Sequence, residues 1–185
     1  LLAGFFGPAA VGFYTLGTRA IKAPSNIIAK SFGNVFYPKI AKDFNRGEDI
    51  RKILLKATTA LAVAGLIPFA IIIIWGPELF GFVFGDDWFI AGAYARWMSI
   101  MAYFSFMGGA CWKTIPVIKM QRFALFFAVI TTLLSAAILY ITATLYNDDL
   151  LTVASFCVLN SILIIFKMFW VLRKAKSNIS IPNDS

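Results

Sequence analysis

Arg19, Lys22 and Asn26 are the residues of this chain placed to do chemistry, because they stand inside a long apolar stretch where polar and charged groups are costly. At about 100° per residue, Arg19, Lys22 and Lys30 fall within roughly 80° of one another on a helix, and Gly12, Thr15, Asn26, Gly33 and Tyr37 share that sector. Counted from Ala9, Arg19 lies about 15 Å deep and Lys22 about 20 Å deep, whereas Lys30 approaches the opposite surface. The chemistry available to such a pair is attraction of an anion, a phosphate or an acidic sugar, entering from water. Two other roles compete with it: pairing with carboxylates elsewhere in a longer chain, and snorkelling to the interface. Pro24 interrupts the backbone hydrogen bonding of the same helix, which predicts a bend and a possible hinge beside the cations.

Most other chemistries are excluded by composition. The chain has no histidine, so Ser-His-Asp catalysis and the commonest metal ligand are absent, and no enzymatic function, metal or cofactor is expected. Cys111 and Cys157 lack CxxC spacing and fall in apolar runs, where free cysteines behave as small buried hydrophobes. Gly108 and Gly109 lie in a helical pattern rather than in a phosphate-binding loop, and predict close helix packing.

The elements that position these residues are five apolar runs, approximately Ala9–Phe36, Ala57–Ile74, Ile90–Trp112, Phe123–Tyr146 and Leu150–Leu172. Each is long enough to cross a bilayer, which takes about 20 apolar residues. The intervening charges alternate in sign. Lys39, Lys42, Arg46, Arg51, Lys52 and Lys56 dominate the first connection; Glu78, Asp86 and Asp87 the second; Lys113, Lys119 and Arg122 the third; Asp148 and Asp149 the fourth; and Arg173, Lys174 and Lys176 the tail. Because Lys and Arg are retained on the cytoplasmic side, the first run is expected to start outside and the C-terminus to lie in the cytoplasm. With 60% apolar residues the expected class is an all-α polytopic membrane protein. The net charge of +8 is then explained by cytoplasmic loops and membrane lipid headgroups, so no nucleic acid is expected as a partner.

Smaller features complete the reading. Pro68 predicts a second bend. Arg96, near the outer face, is expected to reach Asp86 or Asp87 or to line an outer vestibule, and Lys167 to snorkel to the cytoplasmic surface. Residues 78–85 are apolar enough for the outer headgroup layer, and 41–55 read as an amphipathic cytoplasmic helix. The chain opens on Leu1-Leu2-Ala3-Gly4-Phe5-Phe6, which resembles the end of an earlier helix. The expected organisation is a C-terminal transmembrane lobe over residues 1–176, partial and lacking an N-terminal lobe, followed by a disordered cytoplasmic tail over 177–185.

Several motifs carry a resemblance. Phe6-Gly7-Pro8, Val11-Gly12-Phe13-Tyr14, Arg19, Pro24, Val35-Phe36-Tyr37-Pro38 and the turn Gly85-Asp86-Asp87-Trp88 followed by Ala91, Ala95 and Arg96 resemble bacterial polysaccharide flippases of the multidrug/oligosaccharidyl-lipid/polysaccharide exporter superfamily. The resemblance implies a two-lobe transporter of about twelve to fourteen helices, with these five forming most of one lobe, moving undecaprenyl-diphosphate-linked oligosaccharide across the bacterial inner membrane by alternating access. It also implies that Arg19, and with less support Lys22, meets the anionic substrate in a central cavity. Two alternatives stand beside it: a cation-coupled drug or metabolite exporter, which would want the intramembrane carboxylates these runs lack, and a non-transporting membrane scaffold, which would not need midplane cations.

Overall fold

The computed structural model describes the backbone of residues 2–46 and 50–177, and side chains over 4–22, 25, 38, 40, 42, 46 and 50–175. The described residues are helical almost throughout, in α1 (Leu2–Asn45), α2 (Ile50–Phe84), α3 (Phe89–Met107), α4 (Gly109–Thr114), α5 (Gln121–Tyr146) and α6 (Asp149–Ser177), with a single 3-10 turn at Asp86–Trp88. Five helical units thus stand where the sequence predicts five spans, α3 and α4 sharing the third. By length and composition, α2, α5 and α6 are long and apolar enough to cross a membrane. The two units that fall short are those with an arginine well inside them, Arg19 in α1 and Arg96 in α3. The protein is an all-α membrane protein.

Helix ends differ from expectation where backbone chemistry intervenes. The amphipathic segment expected over 41–55 is divided: α1 ends at Asn45, where the Arg46 N–H turns back to the Lys42 carbonyl at 3.2 Å, and α2 starts at Ile50. Its apolar members still face inward, with Ile50, Leu54, Ala57 and Leu61 buried at helical spacing while Lys52 and Lys56 are exposed. The third span breaks at Gly108, over which the Trp112 ring folds; a Cβ there would lie 2.5 Å from Trp112 Cζ2. Gly108 does serve close packing, but against a ring from the next turn of the same chain rather than a neighbouring helix.

The bends also fall elsewhere. Helical backbone runs on through positions 24 and 68, and the non-helical residues inside α1 and α2 are Gly7, at φ 79°, and Trp75, at φ −111° and ψ 20°. Gly7 adopts a conformation that costs other residues far more. Trp75 precedes Gly76-Pro77, and the proline ring cannot accept the helical position of the carbonyl four residues back.

α3 is the centre of the assembly, packed against α2, α6 and α1, while α5 leans on α6. Where α2 and α3 cross, Gly76 faces Gly92 so closely that a Cβ on Gly92 would sit 2.5 Å from Pro77 Cα. Backbones approach this closely only over small residues. Behind the crossing lie Tyr94, Phe80, Ala91, Ala95 and Met98. Cys111 and Cys157 are free and buried, as expected, with Cys111 Sγ 3.7 Å from the Thr58 hydroxyl.

Candidate functional site

One face of α1 is committed to α3 and the other is not. Ala10, Gly17 and Ile21 are buried, and a Cβ on Gly17 would meet Met98 and Ala95 at 3.5 and 3.6 Å, which is ordinary contact. Two hydroxyls of this helix are satisfied internally, Thr18 donating to the Tyr14 carbonyl at 2.8 Å and Ser25 to the Ile21 carbonyl at 2.7 Å. Gly12, Arg19 and Lys22, three members of the polar sector expected from the sequence, are exposed. Among the described residues nothing bonds to or pairs with Arg19 or Lys22. A guanidinium and an ammonium exposed one turn apart on a helix can attract an anion, and none of the described carboxylates supplies their counter-charge. Pro24 and Asn26 lie farther along α1, and their side chains, like that of Lys30, fall outside the described residues.

Arg96 is placed differently from Arg19. Its Nη2 donates to the Ile74 carbonyl at 3.0 Å, beside the Trp75 break, rather than meeting Asp86 or Asp87. The bend in α2 deprives carbonyls of their usual acceptor role, and Arg96 takes one of them up, so its first duty is to hold the α2 bend against α3. Its Nε is buried and makes no hydrogen bond.

Lys167 meets aromatic rings. Its ammonium lies 4.7 Å from the centre of the Trp112 ring and 5.8 Å from that of Phe127, so it is held against aromatic faces. Phe123 stacks on Trp170 at 5.5 Å and Phe127 on Phe166 at 6.1 Å beside it, which ties α5 to α6. The spacing of Phe123, Phe127, Phe166 and Trp170 at one turn each was the available signal for this cluster.

At the far end, the α5–α6 turn is built by its own polar groups. Asn147 is left-handed at φ 48°, a conformation that asparagine tolerates, and Asp148 Oδ1 accepts the Leu151 N–H at 2.9 Å as the cap of α6. Phe6 of α1 and Phe89 of α3 join Tyr146 to Asp149 around an open cavity of about 800 Å³. Sequence reading treated this turn only as an acidic connection, because nothing local says that α1 and α3 reach it.

No curated protein and no solved structure matches the chain. Residues 1–91, which hold α1 with its exposed cations, α2 and the start of α3, match the family described as polysaccharide biosynthesis protein. The match covers the stretch that contains the Arg19–Lys22 pair and the Gly85-Asp86-Asp87-Trp88 turn, so this part of the membrane chain is similar to a polysaccharide biosynthesis family.

Proposed function

We propose that the protein carries a lipid-linked oligosaccharide, with a diphosphate between lipid and sugar, from the cytoplasmic to the outer leaflet of a bacterial inner membrane for surface polysaccharide assembly. The reading is carried by one observation: Arg19 and Lys22 are exposed on the face of α1 that does not pack on α3 and have no partner among the described residues. A diphosphate supplies the missing counter-charge and accepts the guanidinium as a two-pronged donor. The similarity of residues 1–91 to a polysaccharide biosynthesis family supports the sugar, and the alternation of loop charge supports an orientation with Arg46 and Arg122 in the cytoplasm. In alternating access, this pair would hold the diphosphate near mid-membrane while the cavity changes sides, sparing it the cost of bare charge in hydrocarbon. A helical lobe of this kind would close its cavity against a second lobe.

The test is complementation of an export-deficient strain with the intact protein, its membrane level checked by immunoblot. Arg19→Ala is expected to reduce surface polysaccharide by about tenfold or more, the usual scale for losing a charge-assisted hydrogen bond, and Arg19→Lys to restore part of it. Normal export by both Arg19→Ala and Arg19→Glu would remove the pair from substrate binding. Reaction of single cysteines in the Arg46 or Arg122 loops with an impermeant reagent on intact cells would reverse the orientation.

A further inference from the structure

The cavity at the α5–α6 turn has the makings of a binding site that is separate from the cations. Its walls are of two kinds. Phe6, Phe89 and Tyr146 supply rings, with Phe89 51% and Tyr146 64% exposed, so their faces are free to take a partner. Asn147, Asp148 and Asp149 supply amide and carboxylate groups to the same cavity. One oxygen of each carboxylate is used on the chain itself, Asp148 Oδ1 on the Leu151 N–H at 2.9 Å and Asp149 Oδ1 on the Leu150 N–H at 2.7 Å. That leaves the second oxygen of each as an acceptor. An open volume of about 800 Å³ lies within the usual range for small-ligand sites.

A further observation points to a ligand. Tyr94 is fully buried on α3, and its hydroxyl lies beside the Asp149 carboxylate without forming a well-shaped hydrogen bond to it. A buried hydroxyl left poorly paired is costly, and such groups are rarely retained without use. Asp149 is the acceptor within its reach. A ligand that draws the Asp149 carboxylate into a fixed position from the cavity side would let Tyr94 donate to it from behind, so Tyr94 is a positioning residue for Asp149.

We infer that this cavity binds the glycan portion of the transported molecule, resting on the reading of the protein as an exporter of lipid-linked sugar, and that it selects neutral or amine-bearing sugars over acidic ones. Pyranose rings present apolar C–H faces that stack on Phe6, Phe89 and Tyr146, while their hydroxyls donate to the free oxygens of Asp148 and Asp149. A uronic acid would place a carboxylate against two carboxylates and be repelled. A bare metal ion fits less well, since no cluster of three or more acidic or cysteine ligands exists among the described residues.

The site therefore divides labour with Arg19 and Lys22, which take the diphosphate. The probes are a neutral trisaccharide of N-acetylglucosamine and a trisaccharide of galacturonic acid, titrated by saturation-transfer NMR against the intact protein in lipid nanodiscs. The neutral sugar should bind about tenfold more tightly than the acidic one, and Asp149→Asn should weaken it by about tenfold while narrowing that preference. Phe89→Ala should weaken it several-fold. Tyr94→Phe should lower neutral-sugar affinity by about threefold while leaving thermal stability nearly unchanged, because it deletes a buried hydroxyl that is poorly paired in the ligand-free protein. A purely structural tyrosine would give the reverse.

Absence of neutral-sugar binding up to about 10 mM, equal binding of the two sugars, or sodium-dependent changes confined to Asp148 and Asp149 would each overturn the inference. These outcomes are separable from failure of the transport reading. If Arg19 variants abolish export while no sugar binds here, only the cavity assignment falls. If sugar binds with the stated preference while Arg19 variants export normally, the fault lies with the diphosphate site.

Discussion

α1 and α5 each leave one side uncovered, yet they expose opposite chemistry. On α5, Leu125, Phe126, Val129, Leu133, Tyr140, Ile141 and Leu145 are exposed, and only 6% of its apolar window is buried. Its hydroxyls are hidden within the helix: Thr132 donates to the Ala128 carbonyl at 2.8 Å, Thr142 to the Ile138 carbonyl at 2.7 Å and Thr144 to the Tyr140 carbonyl at 2.8 Å. On α1 the exposed face carries Arg19 and Lys22. A hydroxyl can be satisfied by the carbonyl one turn back, so α5 remains compatible with hydrocarbon despite its threonines. A guanidinium cannot be neutralised in that way. The uncovered side of α5 thus suits lipid tails or an apolar protein face, and that of α1 suits water or an anionic ligand.

The sharpest way to break this comparison is to exchange the two kinds of face. Leu133→Arg puts a charge in the middle of α5 and should cost about 3 kcal/mol of membrane insertion, read as a large fall in membrane-inserted protein by an insertion reporter. Arg19→Leu should insert at least as well as the native chain, whatever it does to export. If Leu133→Arg accumulates normally, α5 does not face hydrocarbon.

A middle-sized effect is expected at the α2–α3 crossing. Gly92→Ala must push the Gly76–Pro77 backbone aside and should cost about 1–3 kcal/mol, measured as a lowered thermal midpoint in detergent. Gly12→Ala, on the exposed face of α1 with nothing within 4 Å of its new methyl group, should leave that midpoint unchanged or slightly raised. Equal effects at the two glycines would mean that the crossing is looser than its geometry.

The smallest effect concerns the one side-chain pair that joins α5 to α6 by hydrogen bonds among the described residues. Ser135 and Asn160 meet at 3.0 to 3.2 Å, and Asn160 also donates to the Phe156 carbonyl at 2.9 Å. A double-mutant cycle of Ser135→Ala and Asn160→Ala should return a coupling of about 0.6 kcal/mol, the usual worth of such bonds in a membrane. A coupling near zero would leave the aromatic stack of Phe123, Phe127, Phe166 and Trp170 as the tie between these helices.

Hydropathy by itself determined the class of this protein, an all-α membrane protein, and the helical period grouped Gly12, Arg19 and Lys22 on one side of α1, because these depend on composition and on the period of one segment at a time. Cys111 and Cys157 were legible as buried thiols for the same local reason. The tertiary structure decided the rest. Pro77, not Pro68, coincides with the break in α2, and Arg96 attends to that break because α3 crosses there on Gly92. Lys167 meets the rings of Trp112 and Phe127 because two other segments converge on it. The cavity of Phe6, Phe89 and Asp149 joins residues more than fifty positions apart. Periodicity states which side of a helix is polar, but which neighbour meets that side depends on how backbones approach across small residues, and that is a property of the packed assembly alone.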